Sequence, residues 1–383
     1  MKIFLSFLQS EEKHPIPAYT FWEYYIKNGI EEAGHQWAEC PDVDWAFGLV
    51  PNSKTVLLNW RQDAWNKTLA WLKKNPADLF LSYLYPHQID IAAIAEIKKS
   101  GTPCVNFYCD HLRDFKKLPI EFSVFDLNWV PEYKALELYQ KAGYPYINLP
   151  MPIWVNPSLR IFQPEKNEQV TFIGSKDIQR RVLLEEILSQ DQELPLFIYG
   201  NGWEELTISE SSLATNYPFY KKLLHQFTFL GKQGIVPYIR KIRHKHYVTP
   251  TSTILKSKSR GILDFEHYNE LTCCSMITMG INRYPSFHFP FFHPNTYSRL
   301  RDIEAPMLGA CYLTEWTDGI DNLYNIGQDI ETYRNVEEFI EKINELKNDS
   351  QKRKNLKING QKRALEAHTI PSSLREIICT LNL

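Results

Sequence analysis

Arg301 and Glu304 stand three residues apart at the head of the stretch Arg301-Asp-Ile-Glu-Ala-Pro-Met-Leu-Gly-Ala-Cys-Tyr-Leu-Thr314. Charge opens that stretch, small and apolar residues follow, Gly309-Ala310 turns it, and Cys311-Tyr-Leu313 closes it as a short apolar run. This reads as a helix packed on a sheet and followed by a buried strand. Residues three apart share a helix face, so the guanidinium and the carboxylate point the same way. Beside the strand ends of an open α/β sheet they would face the crevice in which such folds bind ligands. The spacing equally suits a surface ion pair worth little, and on spacing alone both readings stand.

A second cluster follows Val170-Thr-Phe-Ile173, which reads as a strand running into Gly174 and Ser175, then a helix from about Asp177 through Leu188. Small residues let the backbone approach an anion, and the free N–H groups of a helix start point at it. Lys176, Arg180 and Arg181 add positive charge, so the pattern suits a phosphate. A plain βα turn with a solvated basic helix is the alternative. In the first half of the chain, Asp110 and His111 follow a strand ending at Tyr108, and Tyr85-Pro-His87 follows one ending near Tyr83. Asp110 is either a general base or a helix N-cap. His14 reads as a solvated loop histidine. His288 and His293 are the titratable groups of the aromatic loop Arg283–Asn295, which lacks the Cys or acidic neighbours a zinc site needs.

The elements that would position these groups alternate between strand and helix. Residues 1–8, Asp78–Tyr83, Cys104–Tyr108, Phe125–Val130 and Ile147–Pro150 read as strands, with helices over Tyr19–Ala33, Ile89–Ser100 and Pro131–Ala142. Such alternation predicts a parallel sheet covered on both faces. Pro150-Met-Pro-Ile-Trp-Val-Asn-Pro157 is proline-dense and extended, which places an interdomain linker there. Beyond it, Leu196–Gly200 and Ile277–Asn282 read as further strands, and Glu337–Leu346 and Ser350–Ala367 as amphipathic helices. The expected organisation is an N-terminal Rossmann-like domain over residues 1–150, a linker over 151–165 and a second Rossmann-like domain over 166–367. A terminal helix over 368–383 would cross back to the first domain.

With 383 residues and 44% hydrophobic content, the chain can fill two cores. A net charge of −2 provides no field for nucleic acid. The N-terminal apolar run is too short for a secretion signal, and the seven cysteines show no disulfide or metal framework, which predicts a cytoplasmic protein. Residues 216–260 stand out: from Lys221 to Arg260 there is no acidic residue, while Lys, Arg, His and aromatics are frequent. This predicts a basic helical insertion, either solvated or able to touch a membrane surface or a polyanion.

Several of these segments together resemble a known family. Arg-x-Ile-Glu-Ala-x-x-x-Gly-Ala, a strand, then Gly327-Gln-Asp-Ile-Glu-Thr-Tyr-Arg-Asn335 is similar to the C-terminal domain of group-1 glycosyltransferases, nearest the branch of CgeB-like spore-maturation proteins. The match runs on through Tyr333, Asp349, Arg353, Gly360 and His368 to Arg375, and includes Phe172-Ile-Gly-Ser175 with Arg180 and the turn Tyr199-Gly-Asn-Gly-Trp203. The resemblance implies a GT-B fold, two Rossmann-like domains facing a central cleft, and transfer of a sugar from a nucleotide-sugar donor to a glycan, lipid-linked or protein acceptor. It implies no cofactor and no metal, and retention at the anomeric carbon. Glu304 would accept hydrogen bonds from the ribose hydroxyls. Gly174, Ser175, Lys176, Gly200, Arg180 and Arg301 would surround the donor diphosphate, with the loop carrying His293 and Asn295 near the donor sugar. Asp110 and His111 are the candidates for a base.

One position departs from the broader superfamily. A second Glu is expected eight residues before Glu304, and Thr296 stands there instead. Its contact to the sugar would pass to Asn295 or to backbone groups. Two other readings remain at this level: a nucleotide-sugar epimerase, which needs no acceptor, and a non-catalytic protein that binds a nucleotide-sugar, a glycan or a polyanion.

Overall fold

The computed structural model describes residues 1–14, 18–203, 252–285 and 293–383, with the isolated positions 236, 239, 240, 242, 290 and 291. Most of the basic insertion, and His288, therefore lie outside the described residues.

Two sheets, each wholly parallel, organise the chain. The first contains β1 (Lys2–Ser6), β2 (Gln36–Ala38), β3 (Leu79–Ser82), β4 (Cys104–Phe107), β5 (Leu127–Trp129) and β6 (Tyr146–Ile147), in the order β2-β1-β3-β4-β5-β6. The second contains β7 (Val170–Ile173), β8 (Leu196–Tyr199), β9 (Ile277–Gly280), β10 (Tyr312–Glu315) and β11 (Glu331–Tyr333), in the order β11-β10-β9-β7-β8. Inner strands such as Leu79-Phe-Leu-Ser82 and Ile277-Thr-Met-Gly280 are buried throughout, as strands covered on both faces must be. In each order the chain reverses its direction of growth once, between β1 and β3 and between β7 and β9. Open α/β sheets bind ligands beyond the strand ends at such points.

The helices are α1 (Ala18–Glu32), α2 (Lys54–Lys74), α3 (Ile91–Lys99), α4 (His111–Asp114), α5 (Leu136–Ala142), α6 (Ile178–Gln190), α7 (Thr253–Lys258), α8 (Phe265–Cys274), α9 (Leu300–Met307), α10 (Ile320–Leu323), α11 (Val336–Asn348), α12 (Ser350–Ala367) and α13 (Ile370–Leu381). No helix among the described residues is long and apolar enough to cross a membrane.

Several details differ from the sequence expectation. Between Gly34 and Asp78 the sequence reading assigns nothing, and the structure places β2 and the long helix α2 there. The expected helix from Pro131 begins instead as a 3-10 turn, Tyr133–Ala135, because Glu132 is extended. The break between the last two helices falls at His368-Thr369, ahead of Pro371. Pro371 sits in the first turn of α13, where its missing N–H costs nothing. The tail of the basic segment is not a solvated hairpin: Leu255 of α7 is buried in the core of the second sheet, and Ser259 bridges Ile198 of β8.

The linker is tied to both sides, through Arg160 to Glu32 at 2.5 Å and through Glu165 to Arg353 at 2.8 Å. Helix α13 returns to the first domain and packs on α1. Gly29 makes this approach possible, since a Cβ there would lie 2.5 Å from Cβ of Ile370.

Candidate functional site

The cavity between the two sheets has a volume of about 1080 Å³. Its first-domain wall comes from α1 and the loops after β3 and β4, and its second-domain wall from the loop after β7, from α8 and from the start of α9.

Helix α9 is fixed at both ends before it presents anything to the cleft. Asp302, fully buried, accepts from the Arg299 backbone N–H at 3.0 Å, the Tyr312 hydroxyl at 2.8 Å, the Thr314 hydroxyl at 2.9 Å and the Asn282 amide at 3.0 Å. This satisfies an orphan donor of the first turn and locks the helix to β10. At the other end the Gln361 amide of α12 donates to the Met307 carbonyl at 3.0 Å. Arg299, Arg301 and Glu304 are thus held on a rigid element facing the cavity.

Glu304 is already engaged. Tyr25 of α1 donates to its Oε1 at 2.9 Å, and Tyr268 of α8 donates to its Oε2. Burial and the Glu304 charge hold the Tyr25 phenol well above its usual range, so it remains a donor. Arg301 bonds the Tyr268 hydroxyl, reaches the Ile173 carbonyl at 3.3 Å and lies 3.7 Å from Glu304. The pair read from the sequence is therefore no surface pair: it is one half of a four-residue cluster built from both domains.

The turn after β7 is set by its neighbours. The Trp203 indole donates to the Gly174 carbonyl at 2.7 Å, and Gly174 N–H donates to the Tyr199 carbonyl at 2.8 Å. Gly200, at φ 134°, supports this turn from behind, since a Cβ there would meet the Gly174 carbonyl oxygen at 2.4 Å. It is not in the cavity wall. Neither is Lys176, whose backbone N–H bonds Asn201 at 2.9 Å.

The helix start of α6 corrects an expectation. Asp177 caps it, accepting from the N–H groups of Gln179 and Arg180, each at 2.9 Å. An acidic cap occupies the place an anion would take, so the Gln179 and Arg180 amides are not free for phosphate. Arg181 turns away to Glu185 at 3.1 Å. Arg180 does line the cavity, with Nη1 donating to the Ser175 carbonyl at 2.7 Å and Nε 3.2 Å from Asp177. Burial, and next the Arg299 charge, push its guanidinium down to about 10.

On the first-domain wall the structure separates the two candidate bases. Asp110 faces the cavity, with Arg113 3.8 Å away. Burial raises its carboxyl to about 6 against the opposing Arg113 charge, with Glu132 and Asp114 adding to the rise. His111 is 0% exposed and stacked edge-on against Tyr108 and Tyr139, with Nε2 2.8 Å from the Tyr139 hydroxyl. It opens α4, and one residue of helical rotation turns it into the core.

The loop expected to face a donor sugar serves another purpose where it is described. Asn295 accepts from Lys134 of the first domain at 3.0 Å, and Tyr284 donates to buried Glu132 at 3.1 Å. These bonds tie the domains together, and neither Asn295 nor exposed His293 is in the cavity wall. His14 is half-buried and 2.6 Å from Asp44, so it is not a solvated loop residue. With Glu12 these form the metal-ligand-type cluster among the described residues, also outside the cavity wall.

Sequence reasoning did not single out Arg113, Tyr268 or Arg299, and placed Tyr25 only within the helix over Tyr19–Ala33. No sequence pattern marks Arg299: an arginine offers no acceptor at an N-cap, and only the Asp302 carboxylate, accepting from the Arg299 N–H, acts as a cap there. Altogether the described cavity wall carries four guanidiniums (Arg113, Arg180, Arg299 and Arg301) against two carboxylates, Asp110 and Glu304. Such a wall attracts an anion carrying more than one charge.

Comparison with known proteins agrees with this architecture. The model of the family described as glycosyl transferase-like matches residues 179–378. No curated protein matches the sequence. Among solved structures, the chain is similar to the sucrose-phosphate synthase of Thermosynechococcus elongatus, with TM-score 0.58, 11% identity, and 99% of this chain and 98% of that chain covered. It is similar to Anabaena HepE in complex with UDP, with TM-score 0.58, 13% identity and 100% of both chains covered. A third neighbour is AviGT4, a glycosyltransferase involved in avilamycin A biosynthesis, with TM-score 0.52, 11% identity, and 98% and 96% covered. At these identities the likeness establishes the shared GT-B fold. With the family model spanning just over half of its length on that fold, the chain belongs to the glycosyl transferase-like family.

Proposed function

We propose that the protein transfers a sugar from a nucleoside-diphosphate sugar to a glycan, lipid-linked or protein acceptor. The observation that carries this reading is the excess of two guanidinium charges in a cavity at the strand ends of two facing parallel sheets. As the bond between the anomeric carbon and the phosphate oxygen breaks, its electron pair stays on the diphosphate, and fixed cations lower the barrier by meeting that charge. Arg180 and Arg301 take this role, and we infer that the reaction needs no metal. Glu304 takes the ribose hydroxyls. Asp110 aligns the acceptor hydroxyl. With the retention that the family resemblance implies, the hydroxyl proton passes to the departing diphosphate; in an inverting displacement the Asp110 carboxylate would take it. UDP and UDP-glucose, bound by HepE, head the ligands to try, and the Arg301–Glu304–Gly309 run favours the CgeB-like branch.

A thermal-shift screen against UDP, GDP, dTDP, CDP and their common sugars tests the reading. A ligand at a hundred times its dissociation constant stabilises the native state by about 2.7 kcal/mol, a visible shift. One selective hit supports the assignment; a folded sample that responds to none refutes it.

The reading also has a counterintuitive consequence at Tyr25. Its hydroxyl occupies the Glu304 oxygen that a ribose hydroxyl would take. Tyr25→Phe is expected to tighten nucleotide binding about tenfold, since a net hydrogen bond to a charged group no longer has to be given up. Titration calorimetry decides, and weaker binding in the variant would show that the hydroxyl helps to hold the donor.

A further inference from the structure

We propose that Arg299 is the third arm of the diphosphate cradle, gripping the phosphate on the side of the cavity that faces Asp110. This rests on the nucleotide-sugar reading and adds to it a residue outside the Arg301-x-Ile-Glu304 pattern of the family resemblance.

The guanidinium is held without being satisfied. One nitrogen, Nη2, donates to the Arg283 carbonyl, and the group lies 4.6 Å from the centroid of the Tyr297 ring. Arg283 is itself fixed by a buried ion pair with Glu315 at 2.7 Å, and Tyr297 is stacked on Tyr284 at 4.0 Å. The anchor is therefore rigid, and the side chain loses little freedom when it binds. Its Nε is buried and has no hydrogen-bond partner among the described residues. No described carboxylate stands within 4.0 Å of the group either. A buried donor left unmatched costs free energy, and a phosphate oxygen is the acceptor a planar guanidinium fits best.

Its place in the cavity identifies which end of the ligand it meets. Arg299 lines the same cavity as Arg180 of the second-domain wall and Asp110 of the first-domain wall, and its charge is felt by both. A cation there meets the phosphate nearest the bond being broken. Arg301, bonded to Tyr268 and Ile173, is turned toward the Glu304 end.

The test compares wild-type protein with Arg299→Ala and Arg299→Lys by titration calorimetry. The probes are whichever of UDP, GDP, dTDP and CDP gives the largest thermal shift, and its parent nucleoside. Arg299→Ala is expected to weaken the diphosphate about tenfold or more, as loss of a hydrogen bond to a charged group does, and to leave the nucleoside unchanged. Arg299→Lys, which keeps the charge but loses the planar fork, should recover part of the loss. Wild-type affinity for the diphosphate in Arg299→Ala overturns the role of Arg299 while leaving the nucleotide reading intact. Parallel loss of diphosphate and nucleoside does the same, because it marks a general disturbance of the start of α9. Wild-type protein that binds none of the four diphosphates overturns both.

Discussion

Arg180→Ala is expected to lower turnover about 10²–10³-fold, the usual cost of removing a group aimed at developing negative charge. Donor affinity should fall less, because the diphosphate is most negative as it departs and the cation is worth most then. The side chain is placed in advance: Ser175 holds one nitrogen at 2.7 Å, Asp177 stands 3.2 Å from Nε, and the guanidinium lies 5.7 Å from the Phe172 ring centroid. Burial and the neighbouring Arg299 charge leave it an under-compensated cation, which is what the drop to about 10 expresses. An arriving diphosphate relieves that condition and a departing one relieves it further. Rates at saturating donor set beside calorimetric affinities separate the two effects. A variant that binds poorly yet turns over normally would refute a transition-state role. Arg180→Lys should lie between the extremes, since a lysine keeps the charge without the fork.

Glu304→Gln should weaken nucleoside-diphosphate binding about tenfold or more, the expected loss when a carboxylate acceptor of hydroxyl hydrogen bonds becomes neutral, at roughly 1.5–3 kcal/mol per bond to a charged group. The amide is preferred to alanine for a physical reason. Tyr25, Tyr268 and Arg301 all converge on this carboxylate, and truncation would strand them in a buried site, mixing a folding defect with a binding defect. The wild-type protein should also prefer a ribonucleoside diphosphate to its 2′-deoxy analogue, and the variant should lose that preference. Equal affinities in wild type and variant would remove Glu304 from the ribose site.

Much of the frame was legible because parallel strands buried on both faces must be written as apolar runs. Val170-Thr-Phe-Ile173 and Ile277-Thr-Met-Gly280 are read this way, as is the Arg301 stretch with its glycine turn. The region from Gly34 to Asp78 was not legible. Strand β2 is a half-exposed edge of three residues. Helix α2 leaves Val56 43% and Leu58 55% exposed, so its apolar residues do not form one stripe. The site was legible in its charges and illegible in its directions. Asp110 and His111 are adjacent, yet one faces the cavity and the other the core. Asp177 was visible beside Lys176 and Arg180, but its capping role, which removes two amides from service, depends on where α6 begins. Tyr25 and Glu304 come from opposite ends of the chain, and only the folded molecule brings them to 2.9 Å.

The packing of α13 on α1 through Gly29 and Ile370 sets a timetable for synthesis. About 340 residues of chain separate helix α1 from its partner. At about 5–20 residues per second, the nascent chain carries that apolar face uncovered for tens of seconds. The first domain can assemble its sheet in that interval but cannot seal it until α13 has been made. A chain lacking α13 would therefore hold both sheets and a sticky flank where that helix belongs, a substrate for chaperones and proteases rather than a slightly shorter protein.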